Sequence, residues 1–150
     1  MISITLAAEE NIHRILEIES EAISPPWSEK ALFEELGRDD SYFIVAVNRP
    51  QNNVAGFAIL RQVGDDGELL QIAVDKSARR CGIGDVLIDA VLKYSEEKNY
   101  NSVFLEVRSG NEAAIRMYEK HGFTLMRIRR DYYIAPDEDA FVMVKAISSQ

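Results

Sequence analysis

Cysteine, histidine and long apolar runs are scarce in this sequence, and each shortage excludes a class of protein. The single cysteine, Cys81, has no intramolecular disulfide partner, which suits a reducing compartment. The two histidines are isolated, so no cluster has metal-ligand spacing and we expect no metal site. No apolar run approaches the ~20 residues that span a bilayer, and the N-terminal segment lacks the basic start of a signal peptide. We therefore expect a cytoplasmic protein with no membrane partner.

Basic residues are also few relative to acidic ones. The chain has 17 lysines and arginines against 25 aspartates and glutamates, which gives a formal net charge of -8. Proteins that bind nucleic acid usually present a basic face, so we expect no nucleic-acid partner. An acidic surface attracts cationic partners, such as a basic peptide or a polyamine. The alternative, that the charge only keeps a small protein soluble, stays open.

What the sequence does contain is the composition of a globular domain. Of its 150 residues, 47% are hydrophobic and 28% are charged, and the length is sufficient for one hydrophobic core. No internal repeat and no linker interrupts the chain. We expect a single α/β domain over residues 1–150.

Hydrophobic periodicity predicts strands and helices in the order βααβββαβαββ. Prolines at 25 and 26 must end the first helix, because proline lacks an N–H and clashes with the preceding turn. The second to fourth strands are joined by turn-forming residues and therefore predict an antiparallel meander, and the last two strands predict a hairpin around Pro136–Asp139. The predicted strands are Ile2–Leu6, Tyr42–Val47, Val54–Val63, Glu68–Val74, Asn101–Arg108, Phe123–Ile134 and Ala140–Ile147; the predicted helices are Glu9–Ile23, Ser28–Gly37, a segment following Gly84, and Asn111–Gly122.

The segment 68–85 carries the most chemical information. It combines a predicted strand, a polar loop, the pair Gly82 and Gly84, and the start of a predicted helix. The glycines let backbone N–H groups crowd together, and the helix start adds unpaired N–H groups and the positive end of its dipole. These features predict an anion site suited to a diphosphate. Three basic residues lie in the loop: Lys76, Arg79 and Arg80.

Other phosphate-binding motifs fit this segment less well. A dinucleotide-binding fingerprint needs a third glycine or an alanine where the sequence has Leu87, and a P-loop needs a Gly-Lys-Ser/Thr run that is absent. The residues alone leave one alternative open, which is a glycine turn between a strand and a helix with no ligand.

The same loop matches a family motif. Arg79-Arg80-Cys81-Gly82-Ile83-Gly84 fits the pattern Arg/Gln-x-x-Gly-x-Gly/Ala, and on this motif the sequence resembles the GNAT superfamily of acetyl-CoA-dependent N-acetyltransferases. Across nearly the whole chain it is similar to the bacterial ribosomal-protein-alanine N-acetyltransferases, which acetylate the N-terminal alanine of a small-subunit ribosomal protein. The further matching segments are Pro26-Trp27-Ser28, Leu69–Val74, Leu105–Arg108, Asn111 to Phe123, and Arg129-Arg130 followed by Tyr132-Tyr133.

The resemblance implies a GNAT-like single domain with a mixed, mostly antiparallel twisted sheet flanked by helices, in which two central strands splay apart. It implies acetyl-CoA as cosubstrate, with the pantetheine arm pairing with the backbone of Ile72, Ala73 and Val74. Asn111 is implied as a cofactor contact, although capping its helix is an alternative or additional role. The implied residues of the diphosphate loop are Arg79, Arg80, Cys81, Gly82, Ile83, Gly84 and Asp85.

For the chemistry, the resemblance implies Glu106 as the base, directly or through water, and Tyr118 as the acid. Their residue patterns alone favour other roles: Glu106 facing solvent or pairing with Arg108, and Tyr118 packing in the core. Glu68 is the rival base, because an acid on the fourth strand often serves in this superfamily.

Two loop residues and a set of aromatics complete the expectations. Asp85 is unfavourable beside a diphosphate although it suits a helix start, and Cys81 is expected to be buried filler rather than a reactive thiol. Rigid aromatics can bind a peptide at low entropic cost, and packing beneath a loop is their alternative role. The candidates for an acceptor groove are the segment Pro25-Pro26-Trp27 and the tyrosines Tyr132 and Tyr133. The candidate acidic contacts are Asp137, Glu138 and Asp139.

Three functions remain distinguishable at this point. The first is acetylation of a basic ribosomal-protein N-terminus; the second is acetylation of a small amine, such as a polyamine, amino acid or antibiotic. The third is a non-catalytic module that binds acyl-CoA. We expect a monomer, with a dimer as the alternative.

Overall fold

The segments with periodic apolar residues form regular strands and helices in the computed structural model. The structure describes residues 1–23, 25–134 and 137–147. Two short 3-10 turns lie at Glu9–Asn11 and Lys76–Ala78. The strands are β1 (Ile2–Leu6), β2 (Ser41–Asn48), β3 (Asn53–Val63), β4 (Asp66–Val74), β5 (Ser102–Arg108), β6 (Thr124–Tyr133) and β7 (Glu138–Ala146), and the helices are α1 (Ile12–Ala22), α2 (Glu29–Leu36), α3 (Ile83–Glu97) and α4 (Glu112–Lys120).

The order of strands and α-helices matches the order predicted from periodicity. The predicted first helix differs in detail, because Glu9–Asn11 forms a 3-10 turn and α1 begins at Ile12. The helix predicted to follow Gly84 begins at Ile83. Of the predicted final turn, Pro136 lies outside the described residues.

The strands form one seven-stranded sheet in the order β1-β2-β3-β4-β5-β7-β6. The pairs β1–β2, β2–β3, β5–β7 and β6–β7 are antiparallel, whereas β4 and β5 run parallel. This arrangement confirms the prediction of an α/β fold with a mixed, mostly antiparallel sheet. None of the helices in the described part of the chain is both long and apolar enough to cross a membrane.

The parallel pairing of β4 with β5 is short. Its register joins Gly67 with Val103, Glu68 with Phe104, and Leu69 with Leu105. β4 itself continues to Val74 and β5 to Arg108. Each strand therefore extends several residues past the paired segment.

Two compact units make up the chain, here called unit 1 and unit 2. Unit 1 comprises Met1–Arg61 and Gln71–Val91, and unit 2 comprises Gln62–Leu70 and Leu92–Gln150. The expectation of one domain over residues 1–150 stays a prediction.

The core of unit 1 follows from helical spacing and from an apolar strand. Ile12, Ile15 and Ile18 of α1 are at most 1% exposed, as their spacing of three residues requires for one helix face. β3 is buried without interruption from Val54 to Leu60, which is typical of a strand covered on both faces. α2 begins where the Ser28 hydroxyl accepts the Ala31 N–H at 3.1 Å, so Ser28 is the N-cap of this helix.

The core of unit 2 comes mainly from alternating strands. Along β5, Val103, Leu105 and Val107 are buried while their neighbours are half-buried. Phe123 is 2% exposed and its ring lies 5.8 Å from the Tyr118 ring on α4. β6 is exposed along nearly all of its length.

Within unit 1, β3 approaches β4 so closely that only glycine fits at position 56. A Cβ added to Gly56 would lie 2.9 Å from the backbone oxygen of Ala73, and 3.2 to 3.3 Å from side chains of Leu87 and Ile83. A backbone oxygen cannot move aside as a flexible side chain can.

Replacing Gly56 by alanine should therefore destabilise the protein. We expect Gly56→Ala to lower the free energy of unfolding by about 1–3 kcal/mol, the usual cost of overpacking a core. Urea denaturation of the purified variant measures the loss.

Gly37→Ala is the matched control, because its added Cβ would meet only Glu34 O at 3.6 Å and Gly37 has a φ of -86°. Alanine tolerates that backbone conformation, so this variant should be neutral or more stable by up to ~1 kcal/mol. Equal losses in both variants would contradict the steric explanation.

Candidate active site

The loop that follows β4 in unit 1 is held at its first residue. The Asp75 N–H donates to Ala55 O at 2.8 Å, and the Ala78 N–H donates to Asp75 O at 2.8 Å. The Asp75 carboxylate accepts from the Ser77 hydroxyl and pairs with Arg14 at 3.1 Å. The Ser77 hydrogen bond, followed by Arg14, holds the Asp75 pKa below its ordinary value. The start of the loop is therefore anchored by both backbone and charge.

The loop then turns through two residues with left-handed backbone conformations. Arg80 has a φ of 68° and Gly82 a φ of 77°. No heavy atom lies within 4 Å of a Cβ added at Gly82, so backbone conformation rather than space selects glycine there. α3 begins at the next residue, Ile83, which is 3% exposed and ties the helix start to the core.

This geometry contains the features predicted for an anion site, with one correction. N–H groups in the first turn of a helix have no intrahelical carbonyl partner, and they carry the positive end of the dipole. Arg79 and Arg80 are exposed beside them. Cys81 is exposed as well, so the expectation of a buried filler was wrong. The left-handed turn at the neighbouring Arg80 and Gly82 carries this short segment along the surface.

The β4 residues predicted to meet pantetheine alternate in burial. Ala73 is buried, while Ile72 and Val74 are half-buried. Glu68, the rival base, is half-buried on the same strand and registers with Phe104 of β5.

Glu106 lies in unit 2 on the half-buried face of β5. An Arg129 Nη1–H donates to Glu106 Oε2 at 3.1 Å, and the side chains are 41% and 22% exposed respectively. The structure also pairs Arg108 with Glu138 at 3.3 Å. The sequence suggested Arg108 as a partner of Glu106. It gave no sign of Arg129, because β6 and β5 are brought near each other only by the order of strands in the sheet.

Two arginine–tyrosine stacks lie beside this glutamate. The Arg129 guanidinium is 4.1 Å from the Tyr132 ring centroid, and that of Arg108 is 4.2 Å from the Tyr133 ring centroid. The two tyrosine rings are 5.2 Å apart and meet edge to face. Burial, and secondarily the Glu106 charge, raises the pKa of Tyr133. Unit 2 thus brings together a carboxylate, two guanidinium groups and two phenols.

Tyr118 belongs to the same unit and is 6% exposed on α4. Burial, with a smaller contribution from Tyr133, raises the pKa of Tyr118 well above its ordinary value. Tyr118 therefore packs in the core, as the periodicity of its helix suggested. The Asn111 side chain accepts the Ala114 N–H at 3.2 Å, which confirms the capping role considered for Asn111.

A cavity of about 510 Å³ lies in unit 1 beside Trp27, one of the aromatic candidates from the sequence. Its charged wall contains Glu35, which is 2% exposed and pairs with Arg61 through the carboxylate. Both residues were missed in the sequence, because a buried glutamate on α2 and an arginine on β3 carry no local signal. The cavity is lined by Trp27, Ala31, Glu34, Glu35, Arg38 and Arg61.

Comparison with known proteins defines the class. The family model for the acetyltransferase (GNAT) family matches residues 12–123. The match covers β2 to β5 and all four α-helices, including the left-handed glycine loop before α3. This chain belongs to the GNAT family of N-acetyltransferases.

Individual relatives extend the similarity beyond the family. A protein of Escherichia coli named [ribosomal protein bS18]-alanine N-acetyltransferase is 38% identical over 87% of this chain and 88% of its own. The Salmonella typhimurium protein of the same name is 34% identical over 99% of both chains. The crystal structure of the ribosomal-protein-S18-alanine N-acetyltransferase from Escherichia coli superposes with a TM-score of 0.90, at 32% identity, over 100% of this chain and 96% of that one.

The buried phenol of Tyr118 predicts a specific alkaline behaviour. Because its folded-state pKa is raised, the unfolded chain releases the proton first as pH rises through ~10. The phenol's contribution to stability is thus complete below that pH and is lost above it. Urea midpoints measured at neutral pH and near pH 11 should fall less steeply for Tyr118→Phe than for the native protein.

Tyr94→Phe, which also removes one phenol, is the matched control for this experiment. If both variants reduced the alkaline drop in the urea midpoint by the same amount, a special role for the buried hydroxyl of Tyr118 would be contradicted.

Proposed function

We propose that the protein transfers the acetyl group of acetyl-CoA directly to the N-terminal alanine α-amino group of a small-subunit ribosomal protein. The observation that carries this proposal is similarity over nearly the full length of relatives named for that reaction, at 34% to 38% identity. An enzyme acting on ribosomal proteins works in the cytoplasm, so we also propose a cytoplasmic location. Separately, we propose that the protein acts as a monomer.

Acetyl-CoA is the proposed cosubstrate, held mainly by the end of β4 and the following loop. The GNAT match supports this assignment, and two solved structures that share the fold are complexes with CoA or acetyl-CoA. In unit 1, the left-handed turn at Gly82 presents backbone N–H groups next to a helix start, which is an arrangement that binds diphosphate. The proposed contacts are Ile72, Ala73, Val74, Arg79, Arg80, Cys81, Gly82, Ile83, Gly84 and Asp85, together with Asn111.

Glu106 is the proposed general base, acting directly or through water. The hydrogen bond from Arg129 to Oε2 orients its carboxylate. The demand on the base is small: an α-amino group has a pKa of ~7.7–8.0, so roughly a tenth or more is already neutral at pH 7. A lysine side chain, with a pKa of ~10.4, would be neutral in well under ~0.1% of molecules. An N-terminal amine is therefore the easier acceptor.

Tyr118 is the proposed group at the leaving sulfur. Its raised pKa makes the phenol a weaker acid than a thiol of pKa ~8.5, so complete proton transfer to sulfur is uphill. A hydrogen bond donated by a neutral phenol stabilises a departing thiolate without that cost. Burial thus supports a donor that stays protonated throughout the reaction.

The acceptor is proposed to meet aromatic and acidic side chains. Trp27 in unit 1 lines a cavity that also holds carboxylates, and Tyr132 in unit 2 is 43% exposed. A net charge of -8 attracts a basic peptide, and rigid rings bind it at low entropic cost.

Peptide acetylation tests the reaction itself. Purified protein and acetyl-CoA should add one acetyl group to the α-amine of an arginine-rich peptide that begins with alanine, as read by mass spectrometry. Glu106→Gln should lower kcat/KM by roughly 10²- to 10⁴-fold, the usual contribution of a general base. Glu112→Gln, an exposed α4 residue, is the control. Acetylation of spermidine or a free amino acid in preference to the peptide would sink the proposed acceptor.

The single cysteine provides a direct test of the cofactor loop. Cys81 is exposed, so N-ethylmaleimide should modify the native protein at one site. Desulfo-CoA, which has no thiol of its own, should slow that modification at least about tenfold when it occupies nearly all sites. Gly82→Ala places a side chain at a φ of 77° and should weaken the protection, measured against the labelling rate of the same variant without desulfo-CoA. Unchanged labelling at saturating desulfo-CoA would remove Cys81 from the cofactor site.

A further inference from the structure

A fully buried carboxylate lies in unit 1 outside the residues considered so far. Glu19, in the last turn of α1, is 0% exposed. Its Oε1 accepts the backbone N–H of Trp27 at 3.0 Å. Burial raises the pKa of Glu19, and the hydrogen bond from Trp27 and the nearby Gln71 side chain oppose that rise. Burying an acid costs free energy, so a helix that needed only packing would carry an apolar residue here.

Gln71 of β4 completes this cluster. It is 8% exposed, and its side chain lies close enough to Glu19 to help lower the pKa of that carboxyl against the effect of burial. Among the described residues, Glu19 Oε2 and Gln71 Oε1 are buried oxygens without a hydrogen-bond partner. Incompletely paired buried polar groups are uncommon in folded proteins and concentrate where a site requires them.

The Trp27 N–H is the natural point at which to anchor this part of the chain. The two preceding residues, Pro25 and Pro26, have no N–H to donate. The Glu19 hydrogen bond therefore holds the first amide available after the prolines. On the other side, Gln71 immediately precedes Ile72, the first residue proposed to pair with pantetheine. One carboxylate is thus bonded to a residue of the 510 Å³ cavity and lies beside the strand proposed to meet pantetheine.

We propose that Glu19 is a positioning residue for the acceptor: it holds Trp27 at the end of α1 and so shapes the cavity before the acceptor arrives. The inference rests on the proposed function, because it assigns the cavity at Trp27 to the acceptor amine's own chain. Glu19 does not touch the reacting atoms and acts through Trp27. Its loss weakens acceptor binding while leaving the cofactor loop intact.

Two replacements of similar length separate the hydrogen bond from the packing. Glu19→Gln keeps an oxygen for the Trp27 N–H and adds an amide donor near the unpaired Gln71 oxygen. Glu19→Met fills a similar volume and has no strong acceptor. We expect Glu19→Met to raise KM for the alanine peptide by about 10- to 100-fold, the range for losing a hydrogen bond to a charged group. Glu19→Gln should stay within about threefold of the native KM, and both variants should bind desulfo-CoA within about twofold of the native affinity.

The fluorescence of Trp27 tests the anchor without any enzymatic assay, since it is the single tryptophan of the chain. Glu19→Met should shift its emission to the red and increase quenching by acrylamide, whereas Glu19→Gln should leave both unchanged. Ile15→Val is the matched control on α1: its side chain is 0% exposed, and it destabilises the helix without touching Trp27's hydrogen bond.

The outcomes separate the two proposals. Native emission and native KM in Glu19→Met, or equal changes in Ile15→Val, would overturn the positioning role. Shifted emission in a protein that acetylates no peptide would support the anchor and overturn the proposed acceptor. If Glu19→Met does not fold, amide exchange in the native protein decides: the Trp27 N–H should be protected, and exchange as fast as in an unfolded peptide would exclude the hydrogen bond.

Discussion

The close contact between β3 and β4 at Gly56 is the constraint on which the loop after β4 depends. The backbone of Ala73 lies directly over the position of a missing Cβ, and the Asp75 N–H then bonds to Ala55. Together these contacts set where β4 ends and in which direction the chain leaves it. They fix the start of the segment whose left-handed turn at Gly82 is proposed to present N–H groups to a diphosphate.

In unit 2 the candidate side chains are held by charged contacts, whereas in unit 1 the loop after β4 is held by close packing. Arg129 and Arg108 each contact a carboxylate and a tyrosine ring at once, so the groups around Glu106 restrain one another. An isolated exposed ion pair contributes ~0–1 kcal/mol, but partly buried pairs that share stacked rings are worth more and are better ordered. This arrangement orients Glu106, whereas burial on α4 raises the pKa of Tyr118 and keeps its phenol protonated.

Local features were predictable from the sequence because they depend on neighbours along the chain. The Ser28 and Asn111 caps, the break at Pro25-Pro26 and the alternation along β5 all appear where the residues indicated. The first helix begins three residues later than predicted, because Glu9–Asn11 forms a 3-10 turn. Exposure of Cys81 was mispredicted, since the surface path of its loop depends on left-handed residues beside it.

Contacts between distant segments were not predictable in the same way. Arg129 reaches Glu106 because β7 pairs with both β5 and β6, and Glu19 meets Trp27 and Gln71 from three separate elements. The sequence by itself determined the order of elements and the glycine that the turn before α3 requires, because both follow from periodicity and short-range sterics. The acetyltransferase motif was recognised in the sequence through its resemblance to a family. Tertiary structure alone decided which charges pair and which acid is buried, since these depend on strand order and packing that no local pattern encodes.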